Sequence, residues 1–235
     1  SVGWRSLLAR PGETADVPSS TLGWGTLAAL FPLLFIANGA VAQAAHLGLS
    51  TRLILGAMGT AFVFGGVPLF AAIWYRLSLR RTFGLVNFES AMTLLPAALL
   101  GASLWPFAHE LVVVARDLGI VSLSDTQLGH ARELLKQLTS VPLPLLVGCL
   151  AIAPALFEEL FFRGFLFAGL SNHSPWARIT ISAVTFALFH IVVTDALAWE
   201  RFPPSCLMGL ALEWIRWRTG SIWPGTVMHG MHNAL

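Results

Sequence analysis

The chain alternates long apolar runs with short polar connections. Two runs, Trp24 to about Leu49 and Leu53 to Tyr75, are each long enough to cross a hydrocarbon core at about 20 residues per helix. A third run extends from about Ala91 to Ala115, and a fourth covers residues 141–170. This pattern predicts helices that span a lipid bilayer.

The second half of the chain adds three shorter apolar segments, at 177–197, about Pro204–Ile215 and Ile222–Leu235. At about 1.5 Å per residue the last segment reaches only about 20 Å, so we expect it to lie inside a bundle. The most polar stretch, 116–140, places leucines at helix-like spacing and predicts an amphipathic helix at the membrane surface. The chain is therefore predicted to be an all-α, polytopic transmembrane bundle of about seven helices.

Composition supports lipid as the main solvent of the chain. Hydrophobic residues make up 56% of it and charged residues only 11%, against roughly 25% charged residues in soluble domains. This excludes an ordinary soluble enzyme. The basic residues are scattered and form no stripe, so we expect no nucleic-acid partner. Cys149 and Cys206 lie in apolar runs, which disfavours a disulfide framework or a thiolate zinc site.

Three regions follow from these patterns. Residues 1–20 contain arginine, proline and small polar residues, and we interpret them as an aqueous N-terminal arm or linker. Residues 21–140 contain the N-terminal transmembrane helices and the amphipathic surface helix, and residues 141–235 form the third region. Because the chain starts at Ser1, we expect a processed form or a section of a longer polypeptide, with fusion to or association with another membrane protein.

Basic residues predict the orientation, because short cytoplasmic connections are enriched in lysine and arginine. A cytoplasmic N-terminus places eight arginines inside and five basic residues outside. The inside set is Arg5, Arg10, Arg76, Arg80, Arg81, Arg178, Arg216 and Arg218, and the outside set is Arg52, Arg116, Arg132, Lys136 and Arg201. We predict a multi-pass integral protein of the cell membrane with its N-terminus in the cytoplasm.

Charged groups within the fourth apolar run are the first candidates for chemistry, because such groups are costly at membrane depth. On a helix Glu159 and Arg163 are i and i+4 and stack on one face, whereas Glu158 is rotated by about 100° and lacks that partner. An unpaired carboxylate in a low-dielectric site is suited to accept a proton as a general base. The alternative is a salt-bridge network that only holds the bundle together.

Polar residues in two later helices favour a convergent site. Phe186 and His190 are i,i+4 in the fifth apolar segment, and His229 and Asn233 are i,i+4 in the last one. Imidazole and amide groups can donate hydrogen bonds to a developing oxyanion, which peptide hydrolysis requires in addition to a base. We predict that these residues and Glu158 meet at one site.

These residues lie in three motifs, EELFFR (158–163), FALFH (186–190) and HGMHN (229–233). In this order they resemble the EExxxR, FxxxH and HxxxN motifs of the type II CAAX prenyl endopeptidase family, also called the CAAX protease and bacteriocin-processing family. The resemblance covers about Val141 to Leu235. It implies that Glu158 and His190 activate water, that Glu159 and Arg163 orient the site, and that His229 and Asn233 form the oxyanion hole.

The implied protein is an intramembrane endopeptidase whose last four helices form the catalytic core, at residues 141–235. It would cut a peptide bond of a membrane-associated or lipid-modified polypeptide, with water as nucleophile, no cofactor, and the bilayer and the polypeptide as partners. His232 is interpreted as a packing or hydrogen-bonding residue. Two alternatives stay open: a zinc-dependent membrane protease with Glu158, His190 and His229 as ligands, and a non-enzymatic immunity, scaffold or transport subunit.

Overall fold

The computed structural model describes residues 16–86, 93–119, 125–193 and 199–235, so most of the predicted N-terminal arm lies outside the described residues. These ranges contain nine helices and no β-strand, which confirms the all-α prediction. The helices are α1 (Ser20–Gln43), α2 (Leu49–Trp74), α3 (Leu79–Thr82), α4 (Leu94–Asp117), α5 (Asp125–Leu138), α6 (Leu143–Gly169), α7 (Pro175–Val193), α8 (Phe202–Thr219) and α9 (Trp223–Asn233).

Among the described helices, four are long and apolar enough to cross a membrane: α1 with the turn that follows it, α2, α4 and α6. The chain is therefore an integral membrane protein, but the predicted count of about seven helices is not confirmed. Helix α9 has only 11 residues, which is too short to span a bilayer alone. It packs mainly against α4 and α6, inside the bundle as expected.

Helix α6 is the centre of the bundle. Every residue from 161 to 170 is buried, and its phenylalanines meet aromatic rings of α2 and α7, with Phe162 lying 5.7 Å from both Phe64 and Phe189. Two π-helical segments, Val147–Ile152 and Leu160–Leu166, flank the turns that carry Glu158 and Glu159. Such segments change the register of a helix face and often occur at functional sites.

Helix α8 is longer than the predicted segment Pro204–Ile215, because it extends through Arg216 and Arg218 to Thr219. Gly220 ends it in the left-handed conformation, with φ of 67° and a backbone bond to Arg216 O. Glycine adopts this conformation without a steric penalty, which makes it a common helix terminator. The extra turns carry polar residues that a search for apolar runs does not include.

One end of the bundle, here called the linked end, is joined by polar contacts between remote segments. Ser20 Oγ donates to Gly169 O (2.8 Å), Arg178 Nη2 donates to Phe167 O (2.9 Å), and Ser221 Oγ donates to Val86 O (2.9 Å). The C-termini of α1, α4, α7 and α9 lie toward the opposite end, here called the cavity end.

Candidate active site

A cavity of about 520 Å³ lies toward the cavity end of the bundle. Four of the predicted site residues line it, although they come from three different helices: Glu158 from α6, His190 from α7, and His229 and Asn233 from α9. The other two predicted residues, Glu159 and Arg163, are fully buried behind the wall. The structure therefore separates the six residues into a cavity-lining set and a supporting pair.

The N-terminal helices complete the cavity wall. Leu34 and Asn38 of α1, Thr60 and Phe64 of α2, and Trp105 of α4 face the same space as Glu158. The last four helices therefore supply the predicted chemical groups, whereas helices from both halves enclose them. Sequence reasoning did not assign the first half a role in the site, because its residues match no motif.

Glu158 and Glu159 point in different directions, as expected for adjacent residues on a helix. The Glu158 side chain is 14% exposed, and its Oε2 lies 3.9 Å from His229 Nε2. Among the described residues, this buried oxygen has no hydrogen-bond partner. A buried acceptor without a partner is costly, so the cavity offers a place for a donor such as water or a substrate N–H.

Glu159 connects Arg163 to His229. Its Oε1 lies 3.0 Å from Arg163 Nη1, which confirms the spacing argument for that pair, and it also accepts from His229 Nδ1 at 3.1 Å. This bond fixes the imidazole plane and leaves Nε2 facing Glu158.

His190 is oriented by its own helix. Its Nδ1 donates to Phe186 O at 2.9 Å, and its ring lies 4.4 Å from the Phe186 ring. When Nδ1 carries the proton, Nε2 of a neutral imidazole is an acceptor. The i,i+4 relation between Phe186 and His190 thus sets both the position of this histidine and its tautomer.

The end of α9 presents two further polar groups. Asn233, the last residue of α9, is exposed and lines the cavity. His232 is half-buried, and its Nδ1 donates to Gly101 O at 3.3 Å. Helices α4 and α9 cross closely here, since a methyl group added at Gly101 would lie 2.2 Å from Met228 O. The approach of α4 therefore supports the end of α9.

Two charged residues of this region were not singled out from the sequence. Arg201 lines the cavity and, among the described lysines and arginines, it alone does so. Glu213 of α8 is fully buried, with its Oε1 3.1 Å from Arg163 Nε. A charged residue inside the apolar stretch LALEWI was the available signal for Glu213. It was missed because the search paired charges within one helix and not between helices.

The zinc alternative requires Glu158, His190 and His229 as ligands of one metal ion. Among the described residues, no three histidine, cysteine, aspartate or glutamate side chains are grouped so that they could hold a metal ion. His229 Nδ1 and His190 Nδ1 are both engaged in hydrogen bonds, which leaves Nε2 of each ring as the other nitrogen, and His229 Nε2 lies 3.9 Å from Glu158 Oε2.

The fold and the cavity define an all-α integral membrane protein with a polar site inside its helix bundle. Residues 140–235 match the family model described as Rce1-like, type II CAAX prenyl endopeptidase Rce1-like. This match confirms the resemblance to the type II CAAX prenyl endopeptidase family, and it supports assignment of the C-terminal region to the CAAX proteases. Searches of curated proteins and of solved structures gave no match.

Proposed function

We propose that this protein is a glutamate-dependent intramembrane endopeptidase. The observation that carries the proposal is the convergence of Glu158, His190, His229 and Asn233 on one cavity, with a buried Glu158 oxygen that lacks a hydrogen-bond partner among the described residues. A carboxylate base, an imidazole beside it and oxyanion donors are the groups that peptide hydrolysis by water requires.

In this mechanism water occupies the cavity between Glu158 and His190. Glu158 takes one proton from the water while the water oxygen attacks the carbonyl carbon. His190 Nε2 accepts a hydrogen bond from the other proton of the water. The carbonyl oxygen becomes an oxyanion, which accepts hydrogen bonds from His229 and Asn233. Glu158 then passes its proton to the leaving nitrogen as the C–N bond breaks, giving an amine and a carboxylic acid, which keeps the second proton of the water and ionises on release.

His229 needs a proton on Nε2 in order to act as an oxyanion donor. Because its Nδ1–H is bound to Glu159 Oε1 at 3.1 Å, donation from Nε2 requires the imidazolium form. Glu159 fixes the direction of the His229 ring, and Arg163 holds Glu159 in place. The supporting pair would thus act on the oxyanion hole through His229.

The cavity wall favours a membrane-associated or lipid-modified polypeptide as substrate. Leu34, Phe64 and Leu150 form apolar parts of the wall beside the polar groups. Such a surface suits an apolar chain next to the scissile peptide bond. A prenylated peptide has this combination of groups, as the name of the matched family indicates.

The distribution of basic residues supports a cytoplasmic N-terminus in the cell membrane, which places the cavity end outside. Cysteine labelling in intact cells tests this orientation, with the two native cysteines replaced. Thr139→Cys, at the cavity end, should react with a membrane-impermeant maleimide, whereas Arg80→Cys should react only after lysis. The reverse pattern would overturn the orientation.

Quantitative proteomics of membranes tests the proposed function directly. Cells with the wild-type protein should accumulate polypeptides with new termini, and these should disappear when Glu158 is replaced by alanine. Identical termini in the two membranes would favour a non-enzymatic immunity, scaffold or transport role.

Purified full-length chain in proteoliposomes provides the second test, with an internally quenched farnesylated peptide as the probe. The wild type should cleave the peptide, and elemental analysis of the same sample should find no stoichiometric zinc. Zinc at one equivalent, removed by a chelator together with activity, would support the zinc-dependent alternative instead.

A further inference from the structure

Building on the proposed function, we propose that Glu213 is a positioning residue of the active site. Together with Ser182 it holds the Arg163 guanidinium in the place from which Arg163 orients Glu159 and packs on Phe186. Through these two contacts Glu213 sets the positions of His229 and His190, although it does not line the cavity itself.

Glu213 forms a buried junction of three helices. Its carboxylate lies 3.1 Å from Arg163 Nε of α6 and accepts a hydrogen bond from Ser182 Oγ of α7. All three side chains are fully buried. Gly209, one turn earlier on α8, accepts from Arg163 Nη2 at 3.5 Å, so two consecutive turns of α8 face the same guanidinium.

The other side of Arg163 faces the catalytic groups. Its Nη1 donates to Glu159 Oε1 at 3.0 Å, and the same oxygen accepts from His229 Nδ1 at 3.1 Å. The guanidinium carbon also lies 4.2 Å from the centroid of the Phe186 ring. Phe186 carries the carbonyl that receives the His190 Nδ1–H bond. Arg163 therefore contacts the immediate support of both histidines.

The second carboxylate defines the direction of the guanidinium. Arg163 Nε lies 3.1 Å from Glu213 Oε1 but makes no hydrogen bond among the described residues, so the contact is an ion pair. On the other side Nη1 donates to Glu159 Oε1, and the planar guanidinium is therefore held between two carboxylates. Without Glu213, Glu159 would be the remaining acidic partner among the described residues, and the guanidinium would gain by turning toward it and shifting the oxygen that His229 Nδ1 binds.

Stability alone does not account for a second buried carboxylate. Taking an additional charge out of water costs about as much as its ion pair returns, and apolar replacements of buried pairs are often neutral or stabilising. Glu213 Oε2 and Glu159 Oε2 also lack hydrogen-bond partners among the described residues. A requirement for a fixed guanidinium explains why α8 carries a carboxylate here.

Ser182, Phe186 and His190 reinforce this link because they lie on one face of α7 at successive i,i+4 positions. Ser182 binds Glu213, Phe186 packs on Arg163, and His190 faces the cavity. A shift of Glu213 therefore reaches His190 by a second route, along α7. We expect the loss of Glu213 to affect both histidines.

Steady-state cleavage of the quenched farnesylated peptide tests the proposal. Glu213→Gln should lower kcat by roughly tenfold to 100-fold, since small errors of position have costs of that order, while KM stays within about twofold. Glu213→Asp should recover part of kcat because it restores a carboxyl group. A folded Glu213→Gln protein with wild-type kcat would overturn the proposal.

A double-mutant cycle separates positioning from general stability. If Glu213 acts through Arg163, the change in kcat caused by Glu213→Gln should largely vanish when Arg163 is already lysine. Additive effects would overturn the proposal. If Glu213→Gln fails to fold, Ser182→Ala replaces it, with a smaller fall in kcat expected and KM again unchanged.

Thr185→Val is the matched control. Thr185 is buried on α7, the helix that carries Ser182, and its hydroxyl donates to Ile181 O of the same helix. It should leave kcat unchanged. Ring ¹⁵N signals of labelled histidines give a readout without turnover: His229 and His190 should shift in Glu213→Gln and not in Thr185→Val. Unshifted signals in Glu213→Gln would reject the positioning role, whereas a wild type without peptidase activity would reject only the proposed function.

Discussion

Helices α1, α2 and α4 carry many of their apolar side chains on the outside of the bundle, whereas the C-terminal half of α6 carries them inside. Phe35 of α1 is 78% exposed, while Phe162 of α6 is 1% exposed. Both are phenylalanines in long apolar helices, so hydropathy alone does not distinguish them. Lipid surrounds the exposed side chains of the N-terminal helices, whereas the buried side chains of α6 pack against aromatic rings of α2 and α7.

Charged residues also differ in exposure between the two regions. His109 and Glu110 of α4 are exposed, whereas Glu159 and Arg163 of α6 are fully buried and joined to two further helices. Buried charges hold each other in fixed positions, and exposed ones do not, because water and salt screen them. The C-terminal helices thus carry the predicted site residues in a fixed arrangement, while the N-terminal helices contribute to the cavity wall.

Glu158→Gln is expected to have the largest effect. Glutamine keeps the size of the side chain but removes the basic oxygen, so kcat should fall by about 10² to 10⁴ in a folded protein. Glu158→Asp should recover little, because the carboxylate would withdraw by about one methylene. Glu110→Gln in α4 is the matched control and should retain wild-type kcat. Near wild-type turnover by Glu158→Gln would reject the base assignment.

Arg163→Ala should be the most destabilising of these changes. It leaves the Glu159 and Glu213 carboxylates buried without their common partner, and breaking such a pair costs roughly 3 to 5 kcal/mol. Arg81→Ala removes an exposed pair with Asp16, which is worth less than about 1 kcal/mol. Thermal unfolding in detergent compares the two variants. Equal melting temperatures of Arg163→Ala and Arg81→Ala would contradict the buried network.

Gly225→Ala should lower activity by roughly tenfold, because a methyl group there would lie 2.9 Å from Glu159 Oε2 and displace the carboxylate that orients His229. Gly39→Ala in α1 is the matched control, since no atom lies within 4 Å of the added methyl group. Alanine should be tolerated or slightly stabilising there. If both variants cleave the peptide equally well, the close approach of α9 to Glu159 is not required.

Phe35→Leu should have the smallest effect. Its side chain lies on the outer face of α1, and both residues are apolar, so we expect a change of less than about 0.5 kcal/mol in the free energy of unfolding. Thermal unfolding in detergent and in lipid nanodiscs measures it. A loss of stability that depends on protein concentration would instead show that this face contacts another copy of the chain.

The sequence alone was sufficient for features that depend on neighbouring residues along the chain. Lengths of apolar runs predicted α1, α2, α4 and α6, and helical periodicity paired Glu159 with Arg163 and Phe186 with His190. Three motifs in order also indicated the resemblance to the family whose model matches residues 140–235. The fold class and these local pairs could be read directly, because one turn of helix determines which side chains three or four residues apart share a face.

Only the tertiary structure decided which remote residues meet. His229 reaches Glu159 across 70 residues of chain, Ser182 reaches Glu213 across 31, and Asn38 and Thr60 lie on the cavity wall with Glu158. Such contacts depend on how helices cross and on glycines that let them approach, as at Gly101 and Gly225. Periodicity within one helix carries no information about its neighbours, so the contacts of Glu213 with Arg163 and Ser182 became visible only when α6, α7 and α8 were packed together.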